Sequence, residues 1–281
     1  MNKEIKTTKE KVINILLQLG VLLFTVGTLY PVLWVFKIAL GPNKGLTTSL
    51  SLLPPEPSLA NFSYVLFEKP FFTWLFNSLV IAGLTTLLGV FLAATAGYAF
   101  SRFRFPGRTA GLLSFLVTQM FPGTMMMIPL YLIVDMMGLL DSMLSLVLVY
   151  STTAIPFCIW MLKGYFDTIP RDLEEAALID GASKTKIFYK IVLPLARPAV
   201  AVTALFSFMT AWNEFILAAT FMNSESSYTL PVGLQNFVGE FAQDWGYFAA
   251  GAILVSIPIV VLFFILQKNL VSGLTAGGVK G

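Results

Sequence analysis

The sequence predicts an all-α integral membrane protein with about six transmembrane helices. Of its 281 residues, 57% are apolar and 12% are charged, and the mean hydropathy is +0.80. So few polar groups cannot cover a water-soluble surface. The apolar residues also form long blocks almost free of charge, and about 20 such residues cross a hydrocarbon core about 30 Å thick. Because hydrocarbon offers no partner to a backbone N–H or C=O group, each block must be helical.

Six blocks meet the length requirement. They lie at 12–38, 73–100, 110–134, 143–162, 199–222 and 246–267. The prolines at positions 31, 122, 129, 156 and 258 predict kinks, since proline removes a helical hydrogen bond. The first block is too long for a signal-peptide core and has no small-residue cleavage site, so we interpret it as a retained helix.

The basic residues predict the orientation of the spans. Fifteen of the 18 Lys and Arg residues fall on one side, which leaves only Lys37, Lys44 and Lys69 for the other. The positive-inside rule therefore places both termini and the segment 163–198 in the cytoplasm. The net charge of +3 reports topology and gives no support to a nucleic-acid-binding protein.

The cytoplasmic segment 163–198 is predicted to begin with a short helix near Pro170, because proline suits a first helical turn. Leu173, Ala176, Ala177 and Asp180 then share one face at i, i+3, i+4 and i+7 spacing. The two alanines keep this face smooth enough for the close approach of another protein.

A second short helix is expected after Gly181, which is predicted to end the first helix in a left-handed conformation. Ser183 can cap the start of the second helix, and Pro194 and Pro198 redirect the chain into the fifth span. Two short helices joined in this way predict a rigid lever beneath the membrane.

The same segment carries a family resemblance. Glu175-Ala176-Ala177, then three residues, Gly181, nine residues and Ile191-Val192-Leu193-Pro194 resembles the EAA motif of permease subunits of bacterial ABC importers. The resemblance implies a type I permease fold and a helix that docks in a cleft of a separate ATPase. The alternative is an amphipathic hairpin of no special role. The implied coupling residues are Glu175, Ala176, Ala177, Asp180, Gly181, Ile191, Leu193 and Pro194.

The C-terminal half resembles the carbohydrate-uptake branch of these permeases, above all the maltose/maltodextrin permeases. The resemblance is carried by the residues WNEF at 212–215, TLPVG at 229–233 and GLTAGGVKG at 273–281. It implies that the glycine-rich tail 268–281 lies between two ATPase subunits, where glycine lets a backbone pass a narrow gap. The alternative is a disordered end. The implied tail contacts are Thr275, Ala276, Gly277, Gly278 and Lys280.

The resemblance also implies partners and a location. We expect a homologous second permease, two ATP-binding subunits and an extracytoplasmic sugar-binding protein, assembled in the bacterial inner membrane. The outer loop 223–245 is expected to contact the binding protein through Gln235, Asn236, Phe237 and Trp245; a simple cap over the helix ends is the alternative. The chain is then one membrane domain, with a permease core at about 73–267.

The sequence gives no sign of an enzyme. No stretch fits the phosphate-binding pattern G-x-x-x-x-G-K-[ST], so ATP and Mg²⁺ are expected on the partner ATPase and no cofactor on this chain. The chain has no His, which removes zinc chemistry of the H-E-x-x-H type, and no metal site is expected. A secondary transporter would be expected to show coupling-ion carboxylates at the midplane or an inverted repeat, and neither is found.

Few charges lie within the spans, which favours a neutral, hydroxyl-rich solute. Glu214 is the clear intramembrane acid, and we interpret it as a hydrogen-bonding partner of Asn213 or of another subunit, with a proton relay as the alternative. No sugar ligands are assigned to this chain. A galacto-oligosaccharide or a glycerol phosphate remains open as the solute instead of maltodextrin.

Overall fold

The computed structural model describes residues 8–42, 51, 53–239 and 243–276. The chain there is built from helices, with no β-strand in these ranges, as the predicted all-α class requires. Short π-helical turns at Tyr64–Glu68 and Phe188–Val192 and 3₁₀ turns at Gly123–Met126 and Glu225–Ser227 link some of them. The α-helices are α1 Thr8–Leu40, α2 Ala60–Ser63, α3 Phe71–Arg102, α4 Arg108–Met120, α5 Met127–Met136, α6 Met143–Thr168, α7 Asp172–Ile179, α8 Lys184–Ile187, α9 Leu193–Leu195, α10 Arg197–Trp212, α11 Ile216–Phe221, α12 Leu230–Gln235 and α13 Trp245–Ala276.

Four helices of the described chain, α1, α3, α6 and α13, are long and apolar enough to cross a membrane. Two bent helix pairs bring the number to six if each pair is one span. The first pair joins α4 to Gly123–Met136 at 93°, and the second joins Lys184–Leu195 to α10 at 77°. The described chain therefore has four to six candidate spans by length and composition, and the upper number equals the predicted six.

The third and fifth predicted spans are each divided into two helices, so the prediction of one helix over each range is wrong, whereas the predicted kink at Pro122 is confirmed as a bend of 93°. The third breaks at Phe121, whose extended backbone is the conformation favoured before a proline, here Pro122. The fifth stops at Trp212 and restarts at Ile216. The residues 213–215 between them include a carboxylate that caps the new helix.

The described chain forms two compact units. The first contains α1, the residues up to Lys69 and Leu234–Leu254. Within it, the Asn61 side chain donates to the carbonyl oxygens of Ala39 and Gly41, each at 2.9 Å. The rings of Tyr64 and Tyr247 stack with their centroids 4.0 Å apart.

The second unit runs over Pro70–Gly233 and from Val255 onward, and its core is the contact of α3 with α6 and α10. Small residues let these helices approach closely: a Cβ on Gly89 would lie 3.5 Å from the Ser207 hydroxyl, and one on Gly97 would lie 3.2 Å from the backbone nitrogen of Lys163. Close approach through small residues is the usual way in which membrane helices gain packing energy. The single cysteine, Cys158, is fully buried here.

Candidate functional site

The lever predicted beneath the spans is present in the second unit. After α7, Gly181 has a φ of +78°, its N–H donates to the Leu178 carbonyl at 3.0 Å and the Ala182 N–H donates to the Ala177 carbonyl at 2.9 Å. These are the two hydrogen bonds of a Schellman cap, which glycine favours because it lacks a Cβ. Ser183 then caps α8 by accepting from the Lys186 N–H at 3.3 Å. The predicted first helix, left-handed cap and second helix are confirmed.

The lever has two arms: α7 is the first, and α8 with the following residues to Leu195 is the second. The second arm is fixed to the spans by apolar packing. Ile187, Phe188 and Val192 are buried against α3 and α6, and the ring centroid of Phe188 lies 4.8 Å from that of Tyr98. Ile191, Leu193 and Pro194, which the resemblance assigns to coupling, are half-buried along this arm. The π-helical turn brings Phe188 and Val192 to the same buried side.

The first arm is fixed by a buried ion pair. Glu174 accepts from the Arg102 Nε at 2.5 Å and from the Tyr98 hydroxyl at 2.8 Å. The side chains of Arg102 and Glu174 are 7% and 11% exposed. Arg102 also donates to the Ile169 carbonyl at 2.8 Å. Since a buried charge needs both an opposite charge and further hydrogen bonds, this arrangement holds α7 against the end of α3.

The ion pair continues into a second one. The Ser101 hydroxyl accepts from Arg102 Nη1 at 3.1 Å and donates to Asp167 Oδ1 at 2.6 Å, while the Lys163 ammonium lies 2.6 Å from Asp167 Oδ2. The network therefore balances two cations with two carboxylates and joins the ends of α3 and α6 to α7. We call the following side chains the anchor network: Tyr98, Ser101, Arg102, Lys163, Asp167 and Glu174.

Of the coupling residues that the sequence predicts on α7, Ala177 packs against the buried core, whereas the others have exposed side chains. Glu175, Ala176 and Asp180 are exposed and Ala177 is half-buried. In the part of the chain that the structure describes, no salt bridge holds the Glu175 carboxylate. A cavity of about 170 Å³ opens beside it, and because Tyr98, Arg102 and Glu174 also line this cavity, it lies between α7 and the end of α3. The outer surface of the lever is therefore free to receive another protein.

Sequence reasoning missed Glu174. It is one of three acids in the first turn of α7, with Asp172 and Glu175, and helix periodicity alone did not say which of them turns inward. An available signal was Arg102, a charge at the end of a span that needs a partner. The residue that positions the lever is thus adjacent in sequence to the residue that the motif marks.

Glu214 lies in the break of the fifth span and caps α11. Its carboxylate accepts from the Tyr150 hydroxyl at 2.7 Å and from the N–H groups of Leu217 at 2.9 Å and Ala218 at 3.1 Å. The expected link to Asn213 is wrong, since the Asn213 amide donates to the Met209 carbonyl in its own helix. The interpretation of Glu214 as a hydrogen-bonding group between helices is supported, with Tyr150 as its partner.

Replacing Glu214 with glutamine should leave uptake within about threefold of wild type, because the amide oxygen can still accept from the Tyr150 hydroxyl and the Ala218 N–H, and only the hydrogen bond from the Leu217 N–H is lost. Glu214→Leu, which removes the acceptor, should cause a much larger loss. Uptake measured in cells expressing each variant checks this. If glutamine lowered uptake as much as leucine, hydrogen bonding would not explain the role of Glu214, and the proton relay would be the better interpretation.

The remaining predicted contacts are distributed over the C-terminal part. Gln235 and Asn236 are exposed, Trp245 is half-buried, and Phe237 is buried with its ring centroid 5.8 Å from that of Tyr247. Thr275 and Ala276 belong to the last turn of α13. The other tail residues, Gly277, Gly278 and Lys280, lie outside the described residues.

Comparison with known proteins places this arrangement in a family. Residues 85–276 match the family described as "Binding-protein-dependent transport system inner membrane component". Two Bacillus subtilis (strain 168) proteins are similar along most of their length. The galactooligosaccharides transport system permease protein GanQ is 43% identical, over 90% of this chain and 90% of that protein. The maltodextrin transport system permease protein MdxG is 44% identical, over 80% and 81%.

A solved structure shares the fold. A chain of the crystal structure of a bacterial ABC transporter involved in the import of the acidic polysaccharide alginate superposes with a TM-score of 0.78 at 24% sequence identity. The match covers 95% of this chain and 99% of that one.

Proposed function

The chain belongs to the family of binding-protein-dependent transport system inner membrane components, and from that premise we propose that it is the permease subunit of an ATP-driven importer for a neutral oligosaccharide of the maltodextrin or galacto-oligosaccharide kind. The observation that carries this proposal is the lever, whose outer surface is exposed while the anchor network fixes its inner surface to α3 and α6. Such a part can transfer the motion of a soluble partner to the spans.

In the proposed mechanism, α7 docks in a cleft of an ATP-binding subunit with Glu175 and Gly181 at the joint. When two such subunits close on ATP, the lever moves with them and the spans turn from inward-facing to outward-facing. ATP hydrolysis returns the spans to the inward-facing state. The contacts at the joint must differ in strength between the open and closed states of the ATP-binding subunits, because contacts of equal strength in both states shift no equilibrium.

The proposed assembly holds this chain, a homologous second permease, two ATP-binding subunits and an extracytoplasmic binding protein. The placement of both termini and the lever in the cytoplasm rests on the 15 basic residues on that side. We expect ATP and Mg²⁺ to bind to the ATPase subunits only, and the C-terminal tail to reach between them. The binding protein is expected at the outer loop 223–245.

A neutral sugar is favoured by the state of the acid within the spans. The Glu214 carboxylate is already held by Tyr150 and two backbone N–H groups, so it is not free to bind a cationic solute or carry a coupling ion. Similarity to permeases whose names specify galactooligosaccharides and maltodextrin points to the same class of solute. The alternative is an importer of glycerol phosphate that works by the same mechanism.

The test is to purify the complete assembly in lipid nanodiscs and measure ATP hydrolysis with its binding protein. Maltotriose, galactobiose, arginine and glycerol 3-phosphate are each supplied in turn. We expect stimulation by maltotriose or galactobiose only. Stimulation by arginine or glycerol 3-phosphate, with none by a sugar, would overturn the proposed solute class.

A further inference from the structure

The first turns of α3 hold the backbone of the segment 223–233, which we call the outer segment. The Trp74 indole Nε1 donates to the Glu225 carbonyl at 3.1 Å. The Asn77 amide donates to the carbonyls of Ser226 and Tyr228, both at 2.9 Å. Asn77 is 1% exposed, so its amide has no water to bind in place of these carbonyls.

Two further contacts tighten the same joint. The Ser78 hydroxyl accepts from the Leu230 N–H at 2.8 Å. Gly233 lies against the Trp74 ring so closely that a Cβ there would collide with it. The side chains of α3 bind backbone groups of the outer segment. These contacts therefore depend on the backbone conformation of the segment and not on its side chains.

The outer segment is held from its other side by Asp141. This residue, in the turn before α6, accepts from the Asn223 N–H at 3.0 Å and the Ser224 N–H at 3.1 Å, and from the Ser224 hydroxyl. Burial acts to raise the pKa of the Asp141 carboxyl, and these hydrogen bonds outweigh it and hold that pKa below its ordinary value. The outer segment is therefore fixed to the ends of two packed spans.

The opposite end of α3 holds the lever. Tyr98 and Arg102 bind Glu174, as described above, and Ser101 binds Asp167. One helix thus contacts the outer segment with its first turns and the lever with its last turns. From Trp74 to Arg102 the helix covers about 42 Å at 1.5 Å per residue.

α3 is built to act as a stiff connection. Of the four long apolar helices described, α1, α6 and α13 contain a proline at Pro31, Pro156 and Pro258, whereas α3 contains none. Of its three glycines, Gly83 has open space beside it, whereas Gly89 and Gly97 are packed against α10 and α6, which restricts bending at those two positions. A helix without a proline keeps all its interior hydrogen bonds and transmits displacement along its axis.

We propose that α3 transmits the engagement of the binding protein at the outer loop 223–245, whose first part is the outer segment, to the coupling lever, and that Asn77 is the positioning residue at the outer joint. This inference rests on the proposed function and adds a path to it. Binding of the partner outside and docking of α7 inside are two events on one rigid body, so the state of one biases the other.

The test compares two buried asparagines in the reconstituted assembly, with the binding protein loaded with maltotriose or galactobiose, whichever stimulates the wild type. Asn77→Leu removes the two hydrogen bonds that the Asn77 amide donates to the outer segment and leaves the one from Trp74. We expect stimulated ATP hydrolysis to fall about tenfold while hydrolysis without the binding protein stays within about twofold, because only the coupling is lost. Asn61→Leu is the matched control, since Asn61 is 4% exposed and also donates to two carbonyls at 2.9 Å.

A second variant tests the stiffness of α3 without touching either joint. Leu84→Gly with Leu88→Gly adds backbone freedom at two partly exposed positions, and Leu22→Gly with Val26→Gly does the same in α1. We expect the α3 pair alone to lower stimulation. Wild-type stimulation in Asn77→Leu, or an equal loss in Asn61→Leu, would overturn the inference. A wild-type assembly that no loaded binding protein stimulates would overturn the proposed function, and the inference with it.

Discussion

Replacing Glu175 with lysine is expected to abolish sugar uptake while leaving the protein folded and inserted. The side chain is exposed and no salt bridge of the described chain uses it, so folding loses only a helix-dipole interaction of about 0.3–1 kcal/mol. At a docked joint, a reversed charge costs several kcal/mol, which corresponds to a loss of about 100-fold or more in coupling. Uptake of labelled sugar, together with the amount of protein in the membrane, measures both parts of this expectation.

The matched control is Asp172→Lys, an exposed acid in the same helical turn. It changes the net charge equally and weakens the helix dipole interaction by only about 0.3–1 kcal/mol. Gly181→Asp should behave like Glu175→Lys, because it adds a charged side chain at the proposed joint and at a φ of +78°. Normal uptake by either Glu175→Lys or Gly181→Asp would refute the docking of α7.

Replacing Glu174 with leucine is expected to have the largest effect on stability. The change leaves the Arg102 guanidinium buried without its counter-ion, and breaking one partner of a buried ion pair typically costs about 3–5 kcal/mol. The lever should then lose its fixed position, and uptake should be lost with it. The loss of stability is measured as a lower unfolding temperature of the purified protein in detergent. Unfolding is monitored through the reaction of the buried Cys158 thiol with a probe as it becomes exposed.

The double variant Arg102→Met with Glu174→Leu separates charge from structure. Replacing both partners with apolar residues is often close to neutral, so most of the stability lost in Glu174→Leu should return. A Glu174→Leu protein that unfolds at the wild-type temperature would show that the ion pair does not hold the lever. Equal destabilisation in the single and double variants would assign the effect to packing.

The parts of the fold that were predicted correctly depend on local signals. The cap at Gly181 and the helix start at Ser183 follow from the conformational range of glycine and the side-chain oxygen of serine, which need no distant partner. The number of spans follows from hydropathy alone. Such features are fixed within a few residues along the chain, and one sequence is enough to find them.

The missed features depend on partners far away in sequence. Glu174 and Glu175 are chemically equal neighbours, and what separates them is Arg102, 72 residues earlier. Likewise Glu214 was expected to bind Asn213 or another subunit, and within this chain it binds Tyr150, 64 residues away. The Asn77 amide binds carbonyl groups of the outer segment, which lies far from it along the chain. Pairings of this kind are decided by tertiary packing, which helix periodicity does not contain.

The burial of Cys158 makes the natural chain a suitable background for thiol labelling. The sequence holds one cysteine, and its exposed fraction is 0% between tightly packed spans. A maleimide probe reaches a sulfur only as the exposed thiolate, so the folded chain should remain unmodified. A cysteine introduced at an exposed position, such as Asn236 or Ile179, would then carry a single fluorophore or spin label without any prior removal of a native thiol.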